Sequence, residues 1–341
     1  MGKTMFMFPG QGAQFVGMGK AMYDKYDKAR EIFDTASRVT GLDIPALCFE
    51  ENDNLNITEY TQIAMLTVEA AIYAVMEEQG LKCDYTAGLS LGEYGALIAA
   101  GVFSYEDAFK VVRQRGIFMQ EAVPTGGAMA AVLGMDAAQI EKVCKEISGV
   151  RREEILADFS DASKPEGYPE AKFGVSIANY NCPGQIVITG EETAVNKASE
   201  TLKEAGAKRV VPLNVSGPFH SKLLVPAGER LGKVIDETKI NPVKVPYIAN
   251  TTAEIVTNTV NIRNLLVKQI SSSVRWQQTI ELMLKEGVDT FVEIGPGKTL
   301  AGFMRKITKA VADQTGDADA MAAVTTYHIE TPEELEAYVE R

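Results

Sequence analysis

The segment Gly88-Leu89-Ser90-Leu91-Gly92 limits the folds open to this chain more than any other. It follows a short strand candidate, Asp84 to Leu89, and precedes an apolar helix through Ala96-Leu97-Ile98-Ala99-Ala100. A strand that turns sharply into a helix needs small residues two before and two after the apex. A serine hydroxyl at that apex stands clear of the sheet, and the helix N-terminus favours developing negative charge. The context points to an α/β protein with Ser90 as a candidate nucleophile. The same pattern also fits an ordinary glycine-rich turn.

The rest of the chain supports α/β organisation. Thr4 to Phe8 is an apolar strand candidate stopped by Pro9-Gly10. Residues 18–40 and 58–80 read as helices, the second with Thr58 as N-cap and Gly80 as its stop. Residues 126–213 differ: strand Gly127 to Gly134, helix Asp136 to Ser148, strands Phe173 to Asn179 and Gln185 to Thr189, helix Glu191 to Ala205, strand Lys208 to Leu213. That β-α-β-β-α-β order is the ferredoxin-like pattern. The expected division is a large α/β subdomain over 1–125 and 214–310, a small inserted one over 126–213, and a C-terminal extension over 311–341. Residues 151–172 read as a surface excursion. After the insertion, Val245 to Ala249 and Thr290 to Ile294 read as strands, and Ile262 to Ile270 and Gln277 to Glu286 as helices. Thr331-Pro332-Glu333-Glu334 starts a short terminal helix.

A length of 341 residues with 46% hydrophobic content allows a large core. The net charge of −12 argues against a nucleic-acid or anionic-membrane surface. No apolar run reaches the roughly 18–20 residues of a bilayer span, and the N-terminus does not read as a signal peptide. Cys48, Cys83, Cys144 and Cys182 lie far apart, as reduced thiols of a cytoplasmic protein would. No spacing suggests a metal site.

A serine needs a base, and the chain has two histidines, His220 and His328. His328 lies in the acidic tail and reads as a surface residue. His220 follows Ser216-Gly217-Pro218-Phe219 at the junction of the inserted unit, where a site residue fits. In the helix Tyr105 to Ala122, Ser104 and Asp107 form a capping box. Ala108, Val111, Val112, Phe118, Met119 and Ala122 make one apolar face, and Arg115 lies in its middle. A buried guanidinium needs a partner. Either a protein carboxylate pairs with it, or it awaits a substrate carboxylate. Pro9-Gly10-Gln11-Gly12 points backbone N–H groups toward a site, and with Leu91 such a loop would make an oxyanion hole. Asn181-Cys182-Pro183-Gly184 reads as a hairpin turn and Ile294-Gly295-Pro296-Gly297 as a structural turn.

Several of these motifs coincide with one family. Phe8-Pro9-Gly10-Gln11-Gly12-Ala13-Gln14, Ser90-Leu91-Gly92-Glu93-Tyr94, Gln114-Arg115-Gly116, Asn181-Cys182-Pro183-Gly184-Gln185, Phe219-His220-Ser221 and Glu293-Ile294-Gly295-Pro296-Gly297-Lys298 come in family order. The chain resembles the malonyl-CoA:acyl carrier protein transacylases of fatty-acid synthesis. The resemblance implies an α/β-hydrolase-like large subdomain with a parallel sheet and a ferredoxin-like small one. It implies Ser90 as nucleophile, His220 as base, and the amides of Gln11 and Leu91 as oxyanion hole. Arg115 would clamp the malonyl carboxylate, Asn181 and Phe219 would contact substrate, and the backbone carbonyl of Gln269 would orient His220. The implied partners are malonyl-CoA and an acyl carrier protein, with no cofactor and a monomeric protein. One departure stands out: Leu89 occupies a position where the family usually has histidine. Carrier proteins are acidic, so docking would use local cations. Lys203, Lys208, Arg209, Lys298, Arg305, Lys306 and Lys309 are candidates. A serine esterase or thioesterase, an acyltransferase of a polyketide pathway and an inactive carrier-binding protein are the alternatives.

Overall fold

A computed structural model describes residues 2–157, 174–215 and 217–341. Its larger sheet comprises β1 (Lys3–Phe8), β2 (Tyr85–Gly88), β7 (Tyr247–Ile248), β8 (Ile255–Val256), β9 (Val288–Ile294) and β10 (Thr325–Ile329). The strand order is β10-β9-β1-β2-β7-β8, parallel except for the β7–β8 pair. Alternation along β1 divides its side chains between two layers. Phe6 and Phe8 pack with the helices Asp27–Thr40, Thr58–Glu78 and Tyr105–Ala122. Met5 and Met7 face the opposite layer, with Trp276, Ile280, Phe303 and Met304 from the helices Trp276–Lys285 and Thr299–Thr315.

The smaller sheet comprises β3 (Gly127–Leu133), β4 (Val175–Cys182), β5 (Gln185–Glu191) and β6 (Arg209–Pro212), in the antiparallel order β4-β5-β3-β6. The helices Ala137–Ala157 and Glu192–Glu204 interleave with these strands, which completes the ferredoxin-like order. Ala130, Val132, Ile186 and Ile188 face those helices, whereas Met129 and Val187 face the main core. Hydrogen bonds from Tyr180 N to Val274 O and from Val274 N to Ala178 O join β4 to the large subdomain.

The structure differs from the sequence expectations in several places. The helix expected over 18–40 is two helices, Lys20–Lys25 and Asp27–Thr40, because Tyr26 is extended. Arg30 turns back and donates to the carbonyls of Tyr23 and Asp24, which the break leaves free. Ile57, not Thr58, caps the helix Thr58–Glu78, which is buried nearly all round instead of on one face. The strand expected over 245–249 is only Tyr247–Ile248. The tail is more than an extension with a helix. β10 pairs with β9 from Thr325 to Ile329 and forms one edge of the large sheet. Of the surface excursion expected over 151–172, residues 151–157 instead continue the helix Ala137–Ala157, and 158–172 lie outside the described residues.

Candidate active site

β2 ends at Gly88 and the helix Gly92–Ala99 begins two residues after Ser90. Between them Ser90 adopts φ 55°, a conformation that L side chains rarely hold. A Cβ on Gly88 would lie 1.9 Å from the Gly92 carbonyl carbon, and one on Gly92 would lie 2.1 Å from Phe8 O. The elbow therefore needs both glycines. Asn250 fastens it: its Oδ1 accepts from Ser90 N at 2.7 Å and its Nδ2 donates to Gly88 O at 2.7 Å.

The small subdomain closes over the elbow and leaves a cavity of about 430 Å³. Ser90, Arg115, His220 and Phe219 line it from the large subdomain, and Met129 and Asn181 from the small one. Gln11 and Leu91 line the same wall, and among the described residues neither backbone N–H donates to a protein acceptor. Phe219 and Asn181 are buried, and Asn181 Oδ1 has no protein partner among the described residues. Leu89 forms apolar wall with Leu300 and Phe303.

His220, itself at φ 60°, lies 2.7 Å through Nε2 from Ser90 Oγ. Its Nδ1 lies 2.8 Å from the backbone oxygen of Gln269. A carbonyl only accepts, so Nδ1 carries the proton and Nε2 is left to accept from the serine. Burial, reinforced by the Arg115 charge, holds the imidazole down to about 4. His220 is therefore neutral near pH 7 and able to take a proton.

Arg115 is fully buried. Its Nη1 donates to Gln62 Oε1 at 2.6 Å, and its Nη2 donates to Gln269 Oε1 at 3.0 Å and to Ser90 Oγ at 3.3 Å. Among the described residues no carboxylate pairs with it. The face of Tyr94 lies 5.4 Å from its guanidinium carbon. Glu93, on the next turn beyond Ser90, accepts from Gln269 Nε2 at 2.8 Å and from Asn250 N at 3.4 Å. Burial pushes the Glu93 carboxyl up to about 7, against the contacts with Gln269 and Asn250 and the charge of Arg115.

His328 corrects an expectation. It is not a surface histidine: its side chain is 6% exposed. Its Nε2 lies 3.1 Å from Gly295 O and its Nδ1 lies 3.2 Å from Glu334 Oε1. It joins the end of β10 to the turn after β9, away from Ser90. Sequence reasoning also missed Gln62, Glu93, Asn250 and the side chain of Gln269. They come from four separate segments, and only the fold brings them together.

Acyl transfer is the chemistry that this fold and site fit. Residues 5–151 and 137–338 match the acyl transferase domain family. A malonyl CoA-acyl carrier protein transacylase of Bacillus subtilis is 45% identical over 311 residues, 91% of this chain and 92% of that protein. The crystal structure of a malonyl CoA-acyl carrier protein transacylase from Clostridium perfringens superposes with a TM-score of 0.85 at 39% identity, covering 99% of this chain and 96% of that one. A malonyl-transacylase in complex with its type II PKS acyl-carrier protein gives 0.85 at 34% identity, covering 99% of each chain. The chain belongs to the acyl transferase domain family and, within it, to the malonyl CoA-acyl carrier protein transacylases.

Proposed function

We propose that the chain moves a malonyl group from malonyl-CoA to the pantetheine thiol of an acyl carrier protein, supplying extender units for fatty-acid synthesis. The observation that carries this reading is Arg115, a buried cation beside Ser90 Oγ whose two amide partners are neutral. Such a guanidinium is completed by a carboxylated acyl group.

In the first half-reaction His220 Nε2 takes the Ser90 proton and Ser90 Oγ attacks the thioester carbon. The amides of Gln11 and Leu91 receive the developing oxyanion. The C–S bond breaks, and CoA leaves with the proton from His220. In the second half-reaction the carrier thiol gives its proton to His220 and attacks the serine ester. Ser90 is released with that proton. The backbone carbonyl of Gln269 keeps His220 in the required tautomer throughout. An acetyl group would leave Arg115 without its anion, at a cost of about 1–3 kcal/mol or more. Phe219 supplies bulk beside the α-carbon and so favours malonyl over methylmalonyl. Asn181 faces the acyl group. These steps call for no cofactor.

Lys203, Lys208 and Arg209 are exposed on the small subdomain, and Arg305 and Lys309 on the large one. They are the candidates to meet the acidic carrier. Lys298 is already paired with Glu334 and Lys306 with Gln185. Among the described residues no helix is long and apolar enough to cross a membrane. Four free cysteines support a reducing, cytoplasmic setting. The test is transfer from malonyl-CoA, acetyl-CoA and methylmalonyl-CoA to a carrier protein. Malonyl should be preferred, and hydrolysis without an acceptor should be slow. Fast hydrolysis that ignores the carrier would favour a thioesterase instead.

A further inference from the structure

Gln269 ends the helix Ile262–Gln269 and is fully buried. Its backbone oxygen faces His220, and its side chain faces elsewhere. Oε1 accepts from Arg115 Nη2 at 3.0 Å. Nε2 donates to Ser90 O at 2.6 Å and to Glu93 Oε2 at 2.8 Å. We infer that the Gln269 side chain is a positioning residue that fixes the Arg115 guanidinium relative to the Ser90 elbow, and thereby sets selectivity for carboxylated acyl groups. This inference rests on the function proposed above.

The chemistry requires an amide at this place. On the Arg115 side a hydrogen-bond acceptor is needed, and it has to be neutral. A carboxylate there would pair with the guanidinium and compete with the substrate's own carboxylate. On the Ser90 side a donor is needed, because Ser90 O and Glu93 Oε2 only accept. A glutamine side chain has an acceptor and a donor on one rigid plane. Glutamate replaces the donor with a second acceptor, and leucine has neither. Gln62 holds the other guanidinium nitrogen through a second neutral oxygen. Two amides thus fix the direction of Arg115 without cancelling its charge.

The far end of this link is also fixed. Glu93 Oε2 meets Asn250 N, and the Asn250 side chain spans Gly88 O and Ser90 N. The path from the elbow through Asn250, Glu93 and Gln269 to Arg115 is continuous and buried. A shift of the Gln269 amide would move the cation relative to the ester carbon while leaving the His220 contact in place.

Any residue at 269 keeps the backbone carbonyl, so substitution there separates the side chain from the orientation of His220. The experiment compares wild type, Gln269→Leu, Gln269→Glu and Gln269→Asn. It measures kcat/KM for malonyl-CoA and acetyl-CoA with a carrier-protein acceptor, and the urea midpoint of each variant. Gln269→Leu and Gln269→Glu should lower the malonyl-to-acetyl ratio by about tenfold or more, because a charged group loses a buried partner or gains a competing one. Gln269→Asn, which keeps an amide on a shorter arm, should fall between them and wild type. Folded variants that lose both activities equally, with the ratio within about twofold of wild type, would overturn the inference. If Gln269→Leu does not fold, the isosteric Gln269→Glu decides. A wild-type enzyme with no malonyl preference would instead overturn the proposed function.

Discussion

Arg115 Nη2 lies 3.3 Å from Ser90 Oγ, and the guanidinium is held by the neutral oxygens of Gln62 and Gln269. A cation is thus kept in a dry place next to the atom that would carry the acyl group, with no carboxylate among the described residues in direct contact with it. Burying it this way is costly, and a substrate carboxylate is what would offset the cost.

Arg115→Ala should lower kcat/KM for malonyl-CoA by about 10²–10³-fold, the loss of a charge-assisted bidentate contact. Acetyl-CoA should lose far less, so the acetyl-to-malonyl ratio should rise. Parallel rate measurements with both thioesters check this, and an unchanged ratio would remove the clamp role.

The second prediction concerns the base. His220 is held down to about 4 by burial and by the Arg115 charge. Activity should fall as the imidazole is protonated, so the acid limb of kcat/KM should lie near pH 4 in wild type. Removing the Arg115 cation makes the imidazolium less unfavourable, so the limb in Arg115→Ala should move upward, toward the ordinary 6.5. A pH–rate profile of both proteins measures it. A limb that stays put or moves down would contradict the electrostatic coupling.

Glu93 gives a prediction for stability. Its carboxyl is pushed from 4.5 to about 7 in the folded protein. Below 4.5 both folded and unfolded forms are protonated and the contribution is fully present. As pH rises the unfolded carboxyl ionises first, so this contribution is lost, by about 3 kcal/mol once the folded group has also titrated. Glu93→Gln has no such titration. The unfolding free energy of wild type relative to Glu93→Gln should fall between about pH 4.5 and about pH 7. A difference independent of pH would show that Glu93 is ionised throughout.

His328 bears on the β10 edge. His328→Leu leaves Gly295 O and Glu334 without its hydrogen bonds and should cost about 1–3 kcal/mol in urea unfolding. The malonyl-to-acetyl ratio should stay at the wild-type value. A ratio that changed with this substitution would place His328 in the acyl site.

What the sequence reveals follows from which signals are local. The capping of the helix Tyr105–Ala122 by Ser104, the turn around Ser90 and the β-α-β-β-α-β order each depend on residues close in sequence, and each is present in the structure. The apolar stripe put Arg115 inside but could not say what faced it. That answer needed Gln62 and Gln269, which lie 53 and 154 residues away. Asn250 lies two residues past a two-residue strand and carries no spacing signal, yet it holds both sides of the elbow. β10 escaped notice because a short half-exposed strand in an alanine-rich tail shows no strong alternation, and it is the partner β9 that makes it a strand. The same edge buries the His328 side chain, whose place in the acidic tail suggested a surface.

The central claim is that Ser90 carries a malonyl group selected by Arg115. Intact-mass analysis after mixing with malonyl-CoA or acetyl-CoA, without a carrier, tests it most directly. Wild type should gain one malonyl adduct and little acetyl, Ser90→Ala neither, and Arg115→Ala proportionally more acetyl. A malonyl adduct that persists in Ser90→Ala would contradict the account.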